Sequence, residues 1–252
     1  MNDSDDQDRE RSGPVTFTDA VRRTGSVNDI IVDVNEANST ALQRRLTWWY
    51  GSPDRPSPLS LDRATAMPEA LHNWYTITSR WAKLTIRQNH FAPSDELRIE
   101  DGKLVFLDEG EGDWALATDI EGDDPPVYGR PDSDTSWDLH TDRLSTFLLA
   151  YWMYEATLTA PVRRSTIKGT EDSVARIRSA AHHIISVRWQ FPSGEIQFLE
   201  AGPALVLIQP NEIGGLHWIV VATYHEEHRP AVDALAESAW SRSTWAQLPG
   251  NS

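Results

Sequence analysis

The chain of 252 residues contains no cysteine. That absence excludes disulfides, cysteine-ligated zinc, iron–sulfur clusters and thiol nucleophiles, and it points to a reducing, cytoplasmic setting. Long apolar runs are missing as well. The densest, Phe147 to Tyr154, falls far short of the roughly 20 residues that span a bilayer. Residues 1–13 are polar and of mixed charge, the pattern of a disordered tail and not of a signal peptide. Basic residues are scarce: 23 Lys and Arg stand against 38 Asp and Glu, a formal charge of −15. Binding a phosphate backbone needs a basic face that displaces counterions, so nucleic acid is not an expected partner. An acidic surface favours basic partners and speeds encounter with them.

Catalytic signatures are missing too. Gly110-Glu111-Gly112-Asp113-Trp114-Ala115 has the G-x-G-x-x-A spacing, but Glu111 and Asp113 would repel a pyrophosphate. The segment after it alternates like a strand instead of opening a helix. His225-Glu226-Glu227-His228 separates its histidines by three residues, where the zinc-protease helix needs four. In a strand, His182 and His183 point to opposite faces and cannot chelate one ion. The acids from Asp119 to Asp124 lack the spacing of a calcium loop. There is no G-x-S-x-G and no P-loop. The expectation is a protein that is not an enzyme and holds no metal or cofactor. The alternative is a metal-dependent enzyme using His217, His225, His228 and carboxylates.

What is present reads as α+β. Phe17–Arg23 has the pattern of a short helix and Ile30–Val34 that of a strand. Thr40–Tyr50 reads as a helix closed by Gly51, and the prolines of Ser52–Ser60 make a loop. Pro68 and Glu69 open a clearer helix, whose Leu71, Trp74, Tyr75, Thr78 and Trp81 fall on one face. Leu97–Glu100 and Lys103–Phe106 flank Asp101-Gly102, the turn of a hairpin. Trp114–Ile120 alternates as a strand, and Asp124-Pro125-Pro126-Val127-Tyr128 breaks it. Leu144 to Leu158 forms a second amphipathic helix, with Thr141 or Asp142 as N-cap and Pro161 as stop. Residues 162–180 are locally basic and read as a loop with a short helix. Four closely spaced strands follow (Ile184–Phe191, Glu195–Leu199, Ala204–Gln209, His217–Tyr224), then a helix through Val232, Leu235, Ala236 and Ala239. Grouped strands flanked by helices predict mostly antiparallel sheet with helices packed against it.

Between Leu104 and Gly129 there is no Lys or Arg, yet Asp108, Glu109, Glu111, Asp113, Asp119, Glu121, Asp123 and Asp124 all lie there. These acids sit in two turns flanking one strand. They are either solvated turns or, with Trp114, a docking face for a basic protein.

Several segments together resemble the SUKH superfamily, immunity-type proteins related to fungal regulators of cell-wall synthesis. They are Met67-Pro68-Glu69-Ala70-Leu71 with Trp74-Tyr75, Leu104-Val105-Phe106-Leu107, Asp113-Trp114-Ala115-Leu116, Asp124-Pro125-Pro126-Val127-Tyr128 and the aromatic helix Phe147–Tyr154. Coverage runs over about residues 60–225, and residues 15–60 have no counterpart. The resemblance implies a SUKH-like single domain over 61–240, preceded by a tail (1–13) and an extension (14–60) and followed by a tail (241–252). It further implies a binder that neutralises a cognate toxin acting on nucleic acid. A regulatory scaffold of the same fold with no toxin partner is the alternative, as in the fungal relatives.

Overall fold

The structure is a computed structural model and describes residues 38–55, 66–84, 89–110, 112–132, 136–189, 194–211 and 215–240. The readings for residues 1–37 and 241–252, and Glu111 among the candidate site residues, lie outside the described residues. The fold is α+β, with two antiparallel sheets.

The first sheet is built from β1 (Asn89–Phe91), β2 (Arg98–Glu100), β3 (Lys103–Glu109), β4 (Trp114–Asp119), β5 (Val127–Pro131) and β6 (Asp138–Thr141). Its order is β1-β3-β4-β5-β6, with β2 also paired to β3. Asp101 and Gly102 both have positive φ, 49° and 78°, as a type I′ turn between β2 and β3 requires. The proline break is shorter than expected, because Val127 and Tyr128 already belong to β5. Its freed carbonyls are used: Pro126 accepts from the Thr118 hydroxyl at 2.7 Å, and Pro125 from the Leu144 N–H at 2.8 Å.

The second sheet has the order β7-β11-β10-β9-β8, from β7 (Val162–Gly169), β8 (His182–Trp189), β9 (Gly194–Ala201), β10 (Ala204–Pro210) and β11 (His217–Thr223). Residues 162–180 hold the expected short helix, α4 (Glu171–Ala180), but an edge strand in place of the expected loop. Charged Arg163, Arg164 and Lys168 hide the strand period of β7 in the sequence, and such charges are usual on an edge that must not pair with another chain.

Both faces of the second sheet are covered, and period two sorts its side chains. Leu205, Leu207, Val220 and Ala222 face a core shared with the first sheet and with α1 (Asn38–Tyr50), α2 (Glu69–Thr78) and α3 (Leu144–Thr159). Val206, Ile208, Ile219 and Val221 face a second core under α4 and α5 (Arg229–Ala239). The layers therefore run sheet, helices, sheet, helices. Lying between two sheets, α3 is buried on every side, which is what an all-round apolar helix requires. Among the described residues, no helix is long and apolar enough to cross a membrane.

The N-terminal segment joins this core through α1. Leu42, Leu46 and Trp49 recur at i, i+4 and i+7 and are buried. Each such side chain contributes about 1.5–3 kcal/mol when fully buried. Arg45, also buried, pairs with Glu200 of β9. The Trp81 indole donates to the Gly51 carbonyl at 3.0 Å, so the turn after α1 is tied to the end of α2.

Candidate docking site

The strand β4 separates two acidic turns. Glu109 ends β3 and Asp113 stands just before β4, while the β4–β5 loop carries Glu121, Asp123 and Asp124. At about 3.3 Å per residue, the strand holds the two groups roughly 20 Å apart. A cluster in sequence is therefore not one cluster in space.

Tertiary pairing engages more of these carboxylates. Arg98 donates to both oxygens of Asp108, each at 2.6 Å. Lys103 reaches Asp119 at 2.5 Å, and the Tyr128 hydroxyl donates to the same carboxylate at 3.1 Å. Lys103 also lies over the Tyr128 ring, 3.6 Å from its centroid. On the same sheet Glu100 pairs with Arg98 and Arg130, and Arg130 stacks over Trp137 at 4.2 Å. The Arg98 hydrogen bond holds the Glu100 carboxyl below its usual range. These charges roof the outer face of the first sheet. Beneath them Val105 and Ala117 are fully buried yet belong to neither core, because Arg98 stands across from Val105 and Tyr128 across from Ala117.

Asp124 has a different task. Its carboxylate accepts the backbone N–H and the hydroxyl of Ser145, each at 2.7 Å, and pairs with Arg143 at 2.8 Å. It caps α3 from the β4–β5 loop. The residue at the N-cap position, Arg143, makes no capping bond, so neither Thr141 nor Asp142 has the role expected of it. One residue earlier, the Asp123 carbonyl accepts the Ala70 N–H at 2.9 Å. The acidic loop is thus pinned between the N-termini of α2 and α3, whose positive ends favour carboxylates.

Of the carboxylates expected either as solvated turns or as a docking face, some are engaged within the chain and others stay exposed. Asp108, Asp119 and Asp124 are in internal ion pairs. Trp114 packs against the main core, and Glu109 accepts the Asp113 N–H at 3.3 Å. Asp113, Glu121 and Asp123 are exposed and make no ion pair among the described residues.

Beside the acidic loop lies a feature that the sequence reading did not contain. A cleft of about 280 Å³ opens between α1, α2 and the start of α3. Its floor is apolar: Leu42, Ala70, Trp74, Ile77, Leu148 and Leu149. Its rim carries Glu69, Asn73, Asp123, Asp124 and Arg143. Glu69 precedes the core-facing residues of α2 and is exposed. Three carboxylates face one guanidinium there, and two helix ends add about half a positive charge each. The rim keeps a net negative charge.

No family model, curated protein or solved structure matches this chain. An apolar floor inside a negative rim suits a ligand that is greasy at its tip and cationic beside it. The histidines offer less. His217 opens β11 and His225 follows its far end, and His217 is held 2.7 Å from Glu171. His225 and His228 meet edge to face, ring centroids 5.9 Å apart, across a 3₁₀ turn, Glu226–His228. Among the described residues, no group of three or more His, Asp or Glu is placed to hold a metal ion.

Proposed function

We propose that this chain is a non-enzymatic protein-binding module of SUKH type, an immunity protein that covers the active site of a basic toxin acting on nucleic acid. The observation that carries this reading is the pair of exposed carboxylates, Glu69 and Asp123, on the rim of an open apolar cleft where the β4–β5 loop meets α2, with Glu121 exposed in the same loop. The order of elements supports it: a Trp–Tyr helix, antiparallel hairpins, Asp-Pro-Pro-Val-Tyr and an aromatic helix, in line with the resemblance drawn above. The charge of −15 supports it as well, because an enzyme that handles polyanions tends to be basic and meets an acidic partner quickly. An interface of roughly 800 Å² per partner suffices for tight binding when its centre holds good anchors.

The test is co-expression with the protein encoded by the neighbouring gene and titration of the purified pair at low and high salt. The expected result is a complex that weakens with salt and loses about tenfold or more in association rate when Glu121 and Asp123 are both changed to Lys. Absence of a complex, or a complex indifferent to both salt and charge reversal, overturns the reading.

A further inference from the structure

We infer that the cleft between α1, α2 and α3 is an anchor pocket for a protein segment that presents one bulky apolar side chain flanked by Lys or Arg. This rests on the protein-binding reading above and names what the partner must offer. Three observations meet at the pocket. First, its floor is made of side chains already fixed in the main core, Leu42, Trp74, Ile77, Leu148 and Leu149. A guest there meets preorganised apolar surface and does not have to order it. Second, its volume of about 280 Å³ is the size of a side chain such as Phe or Leu with part of its backbone, not of a folded element. Third, the rim is polarised. Asp124 and Arg143 neutralise one another at 2.8 Å, while Glu69 and Asp123 are exposed on the α2 side and make no ion pair among the described residues. A cation beside the anchor therefore finds its complement on that one side. An anionic neighbour meets the same two carboxylates and is repelled.

The position of the pocket is set by the fold. The bond from the Ala70 N–H to the Asp123 carbonyl and the cap from Asp124 to Ser145 hold the β4–β5 loop across the two helix ends. The rim charges are thereby fixed relative to the floor. A buried apolar anchor surrounded by complementary rim charge is the usual anatomy of a hot spot.

Three capped tripeptides test this on the intact chain by amide chemical-shift titration: acetyl-Lys-Phe-Lys-amide, acetyl-Lys-Gly-Lys-amide and acetyl-Glu-Phe-Glu-amide. The expected result is saturable binding of the first, with a dissociation constant on the order of millimolar. Its shifts should be confined to α1, α2, the β4–β5 loop and the start of α3. The other two should bind at least about fivefold more weakly. Asn73→Phe, which fills the pocket mouth, should abolish the shifts. A variant carrying both Glu69→Gln and Asp123→Asn should remove the preference for Lys over Glu. Each variant is checked by circular dichroism, and the two act by different means, so a misfolded one leaves the other decisive. No saturable binding, equal binding of the Glu and Lys peptides, or shifts centred elsewhere overturns the inference. If the intact toxin binds and Asn73→Phe does not weaken it, the pocket assignment fails alone. If the peptide binds as described and no toxin partner does, the proposed function fails alone.

Discussion

The carboxylate of Asp124 and the first turn of α3 are joined by two bonds to a single residue, the backbone N–H and the hydroxyl of Ser145, each 2.7 Å long. Asp124 lies 21 residues before Ser145, so this is an N-cap supplied by a separate element.

Replacing Asp124 with Ala removes that cap and the partner of Arg143. A cap contributes about 1 kcal/mol, up to about 2. The Arg143 pair is half exposed and adds only a few tenths, by the usual value for surface pairs. The expected loss is about 1–2 kcal/mol in urea unfolding, with Asp124→Asn recovering part of it. Glu121→Lys, on an exposed position of the same loop, should change stability by less than about 0.5 kcal/mol.

Arg45 and Glu200 are both buried and paired. Removing one partner strands a charge in the core and should cost about 3–5 kcal/mol, whereas replacing both with apolar residues of similar size should be close to neutral. Glu200→Leu alone and the double change Arg45→Met with Glu200→Leu, compared by chemical denaturation, check this. A single mutant as stable as the double one would show that the pair is not what fixes α1 to the second sheet.

His140 packs against Phe147, and burial pulls its imidazole from the ordinary 6.5 down to about 4. Its Nδ1 finds no hydrogen-bond partner. The unfolded chain therefore binds a proton near pH 6.5 that the folded chain refuses until about pH 4. Between those values the unfolded state holds more protons, so stability falls as pH falls. The loss from this residue amounts to about 3 kcal/mol in all. Unfolding free energies measured across the window should show that slope, and His140→Phe should flatten it.

Gly169 pairs with His217 at an irregularity between β7 and β11. A Cβ there would sit 2.4 Å from Ile219 Cδ1 and 3.0 Å from the His217 carbonyl oxygen. Ile219 is buried and the carbonyl is backbone, so neither yields freely. Gly169→Ala should cost about 1–3 kcal/mol by overpacking, read as a drop in Tm.

Much of the architecture is legible from local pattern. The i, i+3, i+4 recurrence of Leu71, Trp74 and Tyr75 marks α2, and Asp101-Gly102 marks the β2–β3 turn. The four spaced apolar runs mark β8 to β11. The strand β7 escapes because Arg163, Arg164 and Lys168 interrupt it, its apolar Ile167 is exposed, and its buried residues Val162, Ser165 and Thr166 show no apolar alternation. The cleft escapes for a different reason: its walls come from residues 42, 69–77, 123–124 and 143–149, and no window of sequence contains them together.

Composition and periodicity by themselves determined the fold class, the absence of thiol chemistry and the excess of negative charge, because each depends on residue type or on spacing within one element. Which carboxylates stay exposed was decided only by the tertiary structure. Arg98, Lys103 and Arg143 lie outside the acid-rich stretch, and only folding carries them to Asp108, Asp119 and Asp124. Charge is a property of the sequence, but the pairing of charges is a property of distances between segments that the chain brings together.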